Sequence, residues 1–477
     1  MTSEKIINYV GGRSCAILGL GVSNLPVAEI LHSAGIKLFI YDKNPPSALG
    51  ERALKLSGEG VEFFDEKDTY SSILGELILR SPGIRPDRKG IVDAISRGAE
   101  VVGEIELFSY LTDADVLAIT GSDGKTTSTT LTGKFLEAQA RRRIGSRAYV
   151  GGNIGTPLLP ICDEITERDF AALELSSFQL MSVKRAPSRA AITNVSPNHL
   201  DWHTDMNEYI EAKTNIIGEN TERFVTNAEC PATLEIARAF KDKVRELYLF
   251  SSKKQSFEEI EAAAGFAPTL ALFERDGYIV SSDGKSETRL LDTSLINLPG
   301  RHNIENFMTA IGLTLGVADT DDYSEVAKSF FGVEHRLELV RELDGVKFYN
   351  SSIDSSPSRT AAALSAMAGK SLVLICGGYD KNLDYAPLGE AICSHGGVKT
   401  LILTGATSGK IKRAVEDRAP RGLKLIEADT FDGAVLKAAQ AAQSGDCVLL
   451  SPASASFDSF KNFMERGNRF KTIVEKL

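Results

Sequence analysis

Nine consecutive residues constrain this chain more than any others: Ile119-Thr120-Gly121-Ser122-Asp123-Gly124-Lys125-Thr126-Thr127. The apolar run Asp115-Val116-Leu117-Ala118 before them reads as a buried strand, and residues 128–138 after them read as a helix. Strand, glycine loop and helix together hold a polyphosphate. Glycines let backbone N–H groups close around phosphate oxygens, and the helix N-terminus adds a favourable partial charge. In that frame Gly121, Ser122, Asp123, Gly124, Lys125, Thr126 and Thr127 form the cradle, Lys125 neutralises the outer phosphates and Thr126 holds Mg²⁺. The full spacing of such loops puts a glycine five residues before the second one. Ile119 stands there, so the loop is a shortened Gly-x-x-Gly-Lys-Thr form. The plainer alternative is an ordinary glycine turn beside a surface lysine.

A length of 477 residues suggests roughly three domains. The net charge of −10 argues against non-specific nucleic-acid binding, although it leaves room for a local basic pocket. Six cysteines are scattered without a Cys-x-x-Cys pair and read as reduced core thiols. The N-terminus, Met1-Thr2-Ser3-Glu4-Lys5, is not followed by an apolar signal segment, and no run of eighteen apolar residues occurs. A cytoplasmic enzyme without membrane insertion is expected, with a monomer as its form.

Short apolar runs alternate with helix-like stretches from end to end, which predicts α/β architecture with mainly parallel sheets. The first block, 1–102, opens with a strand (Ser14-Cys15-Ala16-Ile17-Leu18), a turn (Gly19-Leu20-Gly21-Val22-Ser23-Asn24) and a helix over 25–34. A second strand, Lys37-Leu38-Phe39-Ile40-Tyr41, ends at Asp42, which completes a Rossmann-type unit. Asn24 replaces the third glycine of the dinucleotide fingerprint, so a nucleotide-containing ligand is a better expectation than NAD. Glu76-Leu77-Ile78-Leu79-Arg80 runs as a strand into Ser81-Pro82-Gly83, at the end of the sheet where such folds bind ligands; a plain Pro-Gly turn is the alternative. The central block, 103–332, carries the phosphate loop, with hairpins expected at its periphery over 251–288. The third block, 333–477, reads as a second Rossmann-like unit, with strands over 371–376, 400–404 and 446–450.

Glu174 ends a buried apolar run in the central block, where a carboxylate is a natural Mg²⁺ ligand. His199 follows the next strand and could reach the same place. Read alone, either residue is as well explained by a structural role, and Lys213, in the helical run Tyr209-Ile210-Glu211-Ala212-Lys213, by a solvated one.

Their combination is more specific. The order of motifs resembles the Mur ligase family, the ATP-dependent amino-acid ligases of peptidoglycan-precursor synthesis. The matching segments are 119–127, Gly151-Gly152-Asn153-Ile154-Gly155, Glu174-Leu175-Ser176-Ser177-Phe178-Gln179-Leu180, Asn198-His199-Leu200-Asp201, Lys213, His302-Asn303-Ile304-Glu305-Asn306 and His335-Arg336. Gly377-Gly378-Tyr379-Asp380-Lys381 and the run Ser451-Pro452-Ala453-Ser454-Ala455-Ser456-Phe457-Asp458 resemble the D-glutamate-adding branch. The resemblance implies joining of D-glutamate to UDP-N-acetylmuramoyl-L-alanine, with ATP activating the acceptor carboxylate as an acyl phosphate. It further implies two Mg²⁺ ions. Lys125 acts on the β- and γ-phosphates, Thr126 and Glu174 hold the first ion, and His199 holds the second. Lys213 matches the lysine that the family carbamylates, and Asn303, Asn306 and Arg336 match nucleotide contacts. Val22, Ser23, Asp42, Ser81, Pro82 and Gly83 match the UDP pocket, with Asn153 near the muramoyl group. Ser355, Lys381, Ser456, Phe457 and Phe463 match the D-glutamate pocket. Three domains serving one reaction imply closure of the third, with a hinge near Gly332-Val333. Another three-domain amide ligase, such as a different Mur ligase or a folylpolyglutamate synthase, is the nearest alternative, and a nucleotide-binding protein without catalysis is a more distant one.

Two positions depart from the family pattern. Asp123 stands where the family has asparagine, and an acid beside phosphates is unfavourable unless it faces solvent or helps hold Mg²⁺. In Tyr349-Asn350-Ser351-Ser352-Ile353-Asp354-Ser355-Ser356-Pro357, the family's acid position is Ser351, and the acid comes three residues later, at Asp354. Asp354 is expected to take over a ribose or positioning contact to the nucleotide; a loop-capping aspartate is the alternative.

Overall fold

The computed structural model describes residues 3–65, 72–142, 145–200, 202–298, 300–381, 383–416 and 422–477. Asp201, which belongs to one of the segments quoted above, lies outside the described residues. The chain forms two compact units, Met1–Ser329 and Phe330–Leu477.

The first unit holds two sheets. The N-terminal sheet contains β1 (Cys15–Leu18), β2 (Leu38–Asp42), β3 (Glu62–Asp65), β4 (Leu77–Arg80) and β5 (Glu100–Gly103), all parallel, in the order β3-β2-β1-β4-β5. Each residue of β1 and β4 is buried because helices cover both faces. Cys15, Ile17, Leu77 and Leu79 enter one core while Ala16, Leu18 and Ile78 enter the other, the two-residue period of a strand.

The second sheet contains β6 (Asp115–Thr120), β7 (Ala148–Gly152), β8 (Phe170–Glu174), β9 (Arg189–Ile192), β10 (Arg223–Asn227), β11 (Glu246–Ser251), β12 (Leu270–Arg275), β13 (Tyr278–Ser282) and β14 (Glu287–Asp292). Its order is β14-β13-β12-β11-β10-β9-β6-β8-β7. The strands from β6 to β12 pair in parallel, and β12, β13 and β14 form an antiparallel meander at the sheet's edge; of the stretch 251–288 read as hairpins, Phe257–Ala264 is instead a helix that crosses between the parallel strands β11 and β12. The phosphate loop leaves β6 between β8 and β9, so both neighbouring strand ends flank it. The following helix is Lys125–Arg142: it starts three residues before the predicted 128, because Lys125-Thr126-Thr127 form its first turn. It packs on the helix Arg301–Thr314, where the Phe135 and Phe307 rings lie 6.1 Å apart. β9 stops at Ile192 rather than continuing to Val195, since Thr193 and Asn194 turn aside to bind the loop.

The second unit carries one sheet of β15 (Glu338–Leu343), β16 (Val346–Asn350), β17 (Ser371–Gly377), β18 (Val398–Thr404), β19 (Lys424–Ala428) and β20 (Asp446–Leu450), in the order β15-β16-β20-β17-β18-β19. Within this sheet only the β15–β16 pair is antiparallel among the described strands. Leu372, Leu374 and Cys376 face one core, Val373 and Ile375 the other. None of the six cysteines forms a disulfide; Cys15, Cys162, Cys376 and Cys447 are buried as expected of core thiols, while Cys230 and Cys393 are half-buried. The fold is therefore α/β, with three mainly parallel sheets: two Rossmann-like and a central one that carries the phosphate loop.

Candidate active site

The loop's two glycines are required by their neighbours. Gly121 has φ +149° and Gly124 φ +78°; a β-carbon would fall 1.9 Å from Thr193 Oγ1 at the first and 2.4 Å from Asn306 Oδ1 at the second. The rest of the loop is tied to the segment after β9. Ser122 N donates to Asn194 O (2.9 Å), Ser122 Oγ to Ser196 O (2.9 Å), Asp123 N to Asn194 Oδ1 (2.9 Å), and Thr193 Oγ1 donates to Asp123 O (2.6 Å). Asp123 itself is exposed, so solvent screens its charge. Thr126 is buried at the first turn of the helix and Thr127 half-buried beside it.

Two ammonium groups converge on one carbonyl. Lys125 Nζ donates to Gly121 O (2.9 Å) and Ser122 O (2.8 Å); Lys213 Nζ donates to the same Gly121 O (2.7 Å) and to Thr120 Oγ1 (3.4 Å). Lys213 is 1% exposed and lies over the Tyr209 ring. Burial, with Lys125 adding to it, pushes Lys213 down to about 6, so at neutral pH it is largely a neutral amine. On the far side of the loop Asn306 Nδ2 donates to Asn303 Oδ1 (3.0 Å) and Ser128 Oγ to Asn306 Oδ1 (3.2 Å); both asparagines are buried.

Glu174 ends β8, beside the loop strand, and is 2% exposed. Its Oε1 accepts from Asn153 Nδ2 (2.8 Å), while its Oε2 is buried without a hydrogen-bond partner among the described residues. A buried carboxylate oxygen left in that state suits a cation. No three His, Cys, Asp or Glu side chains gather into a ready cation cage among the described residues. An ion held here would therefore take its remaining ligands from phosphate, water or a modified side chain. His199 is exposed, with φ +55°. Asn198 Oδ1 accepts from its N–H (2.9 Å), and its ring meets Phe178 edge-on at 5.0 Å.

A cavity of about 90 Å³ lies where the N-terminal sheet meets the central one. It is lined by Val22, Ser23, Ser81 and Pro82 as expected, and also by Asn24, Arg80, Glu104, Glu106, Gln179 and Ser182. Asp42 and Gly83 are not in this lining. Asp42 instead accepts from Leu20 N and Asn44 N (2.9 Å each), which shapes the glycine turn, and Gly83 is exposed. Asn24, Arg80 and Gln179 lie in segments quoted from the sequence, whereas Glu104, Glu106 and Ser182 are not singled out there. Only Gln179 carried a local signal: Ser176 and Gln179 form a capping box, Ser-x-x-Gln, at the helix Ser177–Leu180. Burial pushes the Glu104 carboxyl up to about 7, and its Oε1 has no hydrogen-bond partner among the described residues.

In the second unit the structure brings Lys381, Ser456 and Phe457 together. Lys381 Nζ lies 5.4 Å from the Phe457 ring centroid, and Phe457, 58% exposed, meets Tyr379 at 5.9 Å. Ser456 is buried, and Phe463 packs against the His335 ring at 6.0 Å. Ser355 Oγ donates to Ile353 O (3.3 Å) in the loop after β16. Arg466, missed by sequence reasoning, joins the two loops. It donates to Ser352 Oγ (3.0 Å), Ser352 O (2.9 Å), Ser454 O (3.0 Å) and Ala455 O (3.1 Å). Asp354 is buried, accepts from Ser451 Oγ (2.8 Å) and feels the positive charge of half-buried Arg336.

A phosphate loop at the centre of a parallel sheet, a buried acid suited to a cation and flanking Rossmann-like sheets define a nucleotide-dependent transfer enzyme of multi-domain α/β type. Residues 119–314 match the Mur ligase middle domain and residues 335–454 the Mur ligase, glutamate ligase domain. The UDP-N-acetylmuramoylalanine–D-glutamate ligase of Ruminiclostridium cellulolyticum is 43% identical over 482 residues, 99% of either chain. That of Acetivibrio thermocellus is 40% identical over 476 residues, covering 98% of this chain and 97% of its own. The same architecture recurs in UDP-N-acetylmuramate-alanine ligase MurC from Thermotoga maritima (17% identity, 97% of this chain and 99% of that one, TM-score 0.54). It also recurs in E. coli FolC in complex with ADP (15% identity, 78% and 93%, TM-score 0.53). The chain belongs to the Mur ligase family.

Proposed function

We propose that this chain joins D-glutamate to UDP-N-acetylmuramoyl-L-alanine while cleaving ATP to ADP and phosphate, a step of peptidoglycan-precursor synthesis. The observation that carries the reading is end-to-end similarity, at 43% identity, to a ligase named for that reaction. The geometry supports its chemistry. A carboxylate is a poor electrophile because oxide is a poor leaving group. An oxygen of the acceptor's alanine carboxylate therefore attacks the γ-phosphorus and ADP departs, leaving an acyl phosphate. The D-glutamate amine then attacks the carbonyl carbon through a tetrahedral intermediate, phosphate leaves with the bridging oxygen, and one proton is released.

Gly121 to Thr127 cradle the ATP phosphates, with Lys125 turning from its loop carbonyls to the β- and γ-phosphates. Asn303, Asn306 and Arg336 receive the rest of the nucleotide, and Asp354 acts on it through Arg336. The donor set fits Mg²⁺: Thr126 and the open oxygen of Glu174 for one ion, His199 for a second, and Lys213 as a carbamate formed from its neutral amine and CO₂. Mg²⁺, when bound, supplies charge neutralisation at the phosphate and carboxylate oxygens. Val22, Ser23, Ser81 and Pro82 take the UDP end of the acceptor, Asp42 orders the turn that carries Val22 and Ser23, and Asn153 takes the muramoyl end. Ser355, Lys381, Ser456, Phe457 and Phe463 take D-glutamate, with Lys381 as counter-ion to its side-chain carboxylate. Residues 1–102, 103–332 and 333–477 are the corresponding domains. No described helix is long and apolar enough to cross a membrane; the protein is read as a cytoplasmic monomer acting on these small molecules. Phosphate release should require the UDP-sugar acceptor and D-glutamate together. Release with L-glutamate, or with a folate acceptor, overturns the assignment.

A further inference from the structure

His203 is 2% exposed, four residues beyond His199, and every polar group facing it is engaged. Its backbone N–H donates to the His199 carbonyl (2.9 Å), beside that of Trp202 (3.1 Å). Its ring Nδ1 lies 3.1 Å from Glu208 Oε2 and its Nε2 2.8 Å from Ser177 Oγ. A carboxylate accepts, so Nδ1–H donates to Glu208 and Nε2 accepts from the Ser177 hydroxyl. Glu208 is held in turn by Arg85 (2.7 and 3.1 Å) and by Thr204 N (2.9 Å). Arg85 also donates to Trp202 O (2.8 Å) and lies over the Trp202 ring. The Phe178 ring sits among His199, Trp202 and His203 at 5.0, 4.3 and 5.6 Å. The turn bearing His199 is thus fastened to three other pieces of the unit: the loop after β4, the helix that follows Glu174 and the helix Met206–Thr214.

His199 has φ +55°, a left-handed conformation that a residue with a β-carbon keeps only when its surroundings impose it. We propose that His203 is a positioning residue for metal binding: wired to Arg85 through Glu208 and to Ser177, it holds the His199 turn in the orientation that presents the His199 ring to a divalent cation. The proposal rests on the reading of His199 as a metal ligand. It also explains why Arg85, two residues beyond the Ser81-Pro82-Gly83 turn, is tied to this network: the acceptor loop and the metal-binding turn share one set of hydrogen bonds. Outer partners of metal ligands usually change affinity by about 10- to 100-fold when lost.

The chain has six histidines, few enough for a histidine-labelled NMR spectrum in which Mn²⁺ alone, added to the full chain, broadens rings close to it. In the unsubstituted protein the His199 signals should vanish at the lowest Mn²⁺ concentrations. In H203Q they should need about tenfold more Mn²⁺, and in S177A, which keeps the ring and loses one bond, about threefold more. Melting temperature and affinity for an ATP analogue without metal should change little. S177A carries the test if H203Q does not fold. Variants that broaden like the unsubstituted protein overturn the role of His203 and leave the metal-ligand reading standing. An unsubstituted protein whose His199 does not broaden overturns that reading, and this proposal with it.

Discussion

Two buried basic side chains, one in each unit, are held in opposite ways. Arg466 is enclosed by four neutral oxygens from two loops; burial holds it down at about 10, yet each of its nitrogens donates. Lys213 shares the single carbonyl of Gly121 with Lys125, and burial together with the Lys125 charge leaves it largely a neutral amine. The first arrangement is complete as it stands and fastens a loop. The second leaves an ammonium and a neutral amine on one loop carbonyl, with a half-satisfied acid, Glu174, on the neighbouring strand. On the function proposed above, the completed arrangement is scaffold and the incomplete one serves the chemistry.

The largest effect that sharpens this contrast is expected at Lys125. Lys125→Ala should lower the rate of phosphate release by about 10³-fold, the scale of losing a charge aimed at the transferring group, with melting temperature nearly unchanged. A loss below tenfold breaks the contrast on the catalytic side. Arg466→Ala should act in the other currency, lowering unfolding free energy by about 3 kcal/mol because buried carbonyls lose their donor. Denaturant unfolding checks this, and a stability-neutral result breaks the contrast on the scaffold side.

Glu104 gives a smaller, pH-dependent effect. Its folded-state pKa of about 7 lies above the unfolded value, so the folded state binds more protons between these pH values and stability falls as pH rises from about 4.5 to 7. Glu104→Gln should remove that decline and raise unfolding free energy by about 2 kcal/mol at pH 8, with little change at pH 4. Equal melting shifts at both pH values contradict it. The smallest effect is expected at Asp354, whose carboxyl is already occupied by Ser451. If it acts on the nucleotide through Arg336, Asp354→Ala should weaken ATP binding by about threefold, a change of under 1 kcal/mol; an unchanged affinity retires the role.

The strand, loop and helix around Gly121 to Thr127 could be read from sequence because the unit is local, made by contiguous residues. The β1 turn and Ser81-Pro82 were legible for the same reason. Arg80, Glu104 and Glu106 were not, since their burial depends on packing between segments far apart in the chain. Next to Gly103 or in Glu-Ile-Glu, a buried acid has the appearance of a solvated one. Arg466 sits between Glu465 and Gly467 on a helix with Arg469 and Lys471, and only the contacts to Ser352 and Ser454 distinguish it from them. His203 is hidden in another way: the histidine that draws attention is His199, and the hydrogen bonds that constrain its turn come from Arg85 and Ser177. Asp123 troubled the sequence reading, and the fold answers it by leaving the side chain in solvent while its backbone is tied to Thr193 and Asn194.

The central claim is that the converging lysines and the open acid serve transfer of a phosphoryl group to a carboxylate. The direct measurement uses acceptor labelled with ¹⁸O in its alanine carboxylate, incubated with ATP and D-glutamate, with the released phosphate analysed by mass spectrometry. The account predicts one ¹⁸O atom per phosphate formed, carried over as the bridging oxygen of the acyl phosphate. Phosphate free of label, formed at the same rate as the amide product, contradicts it.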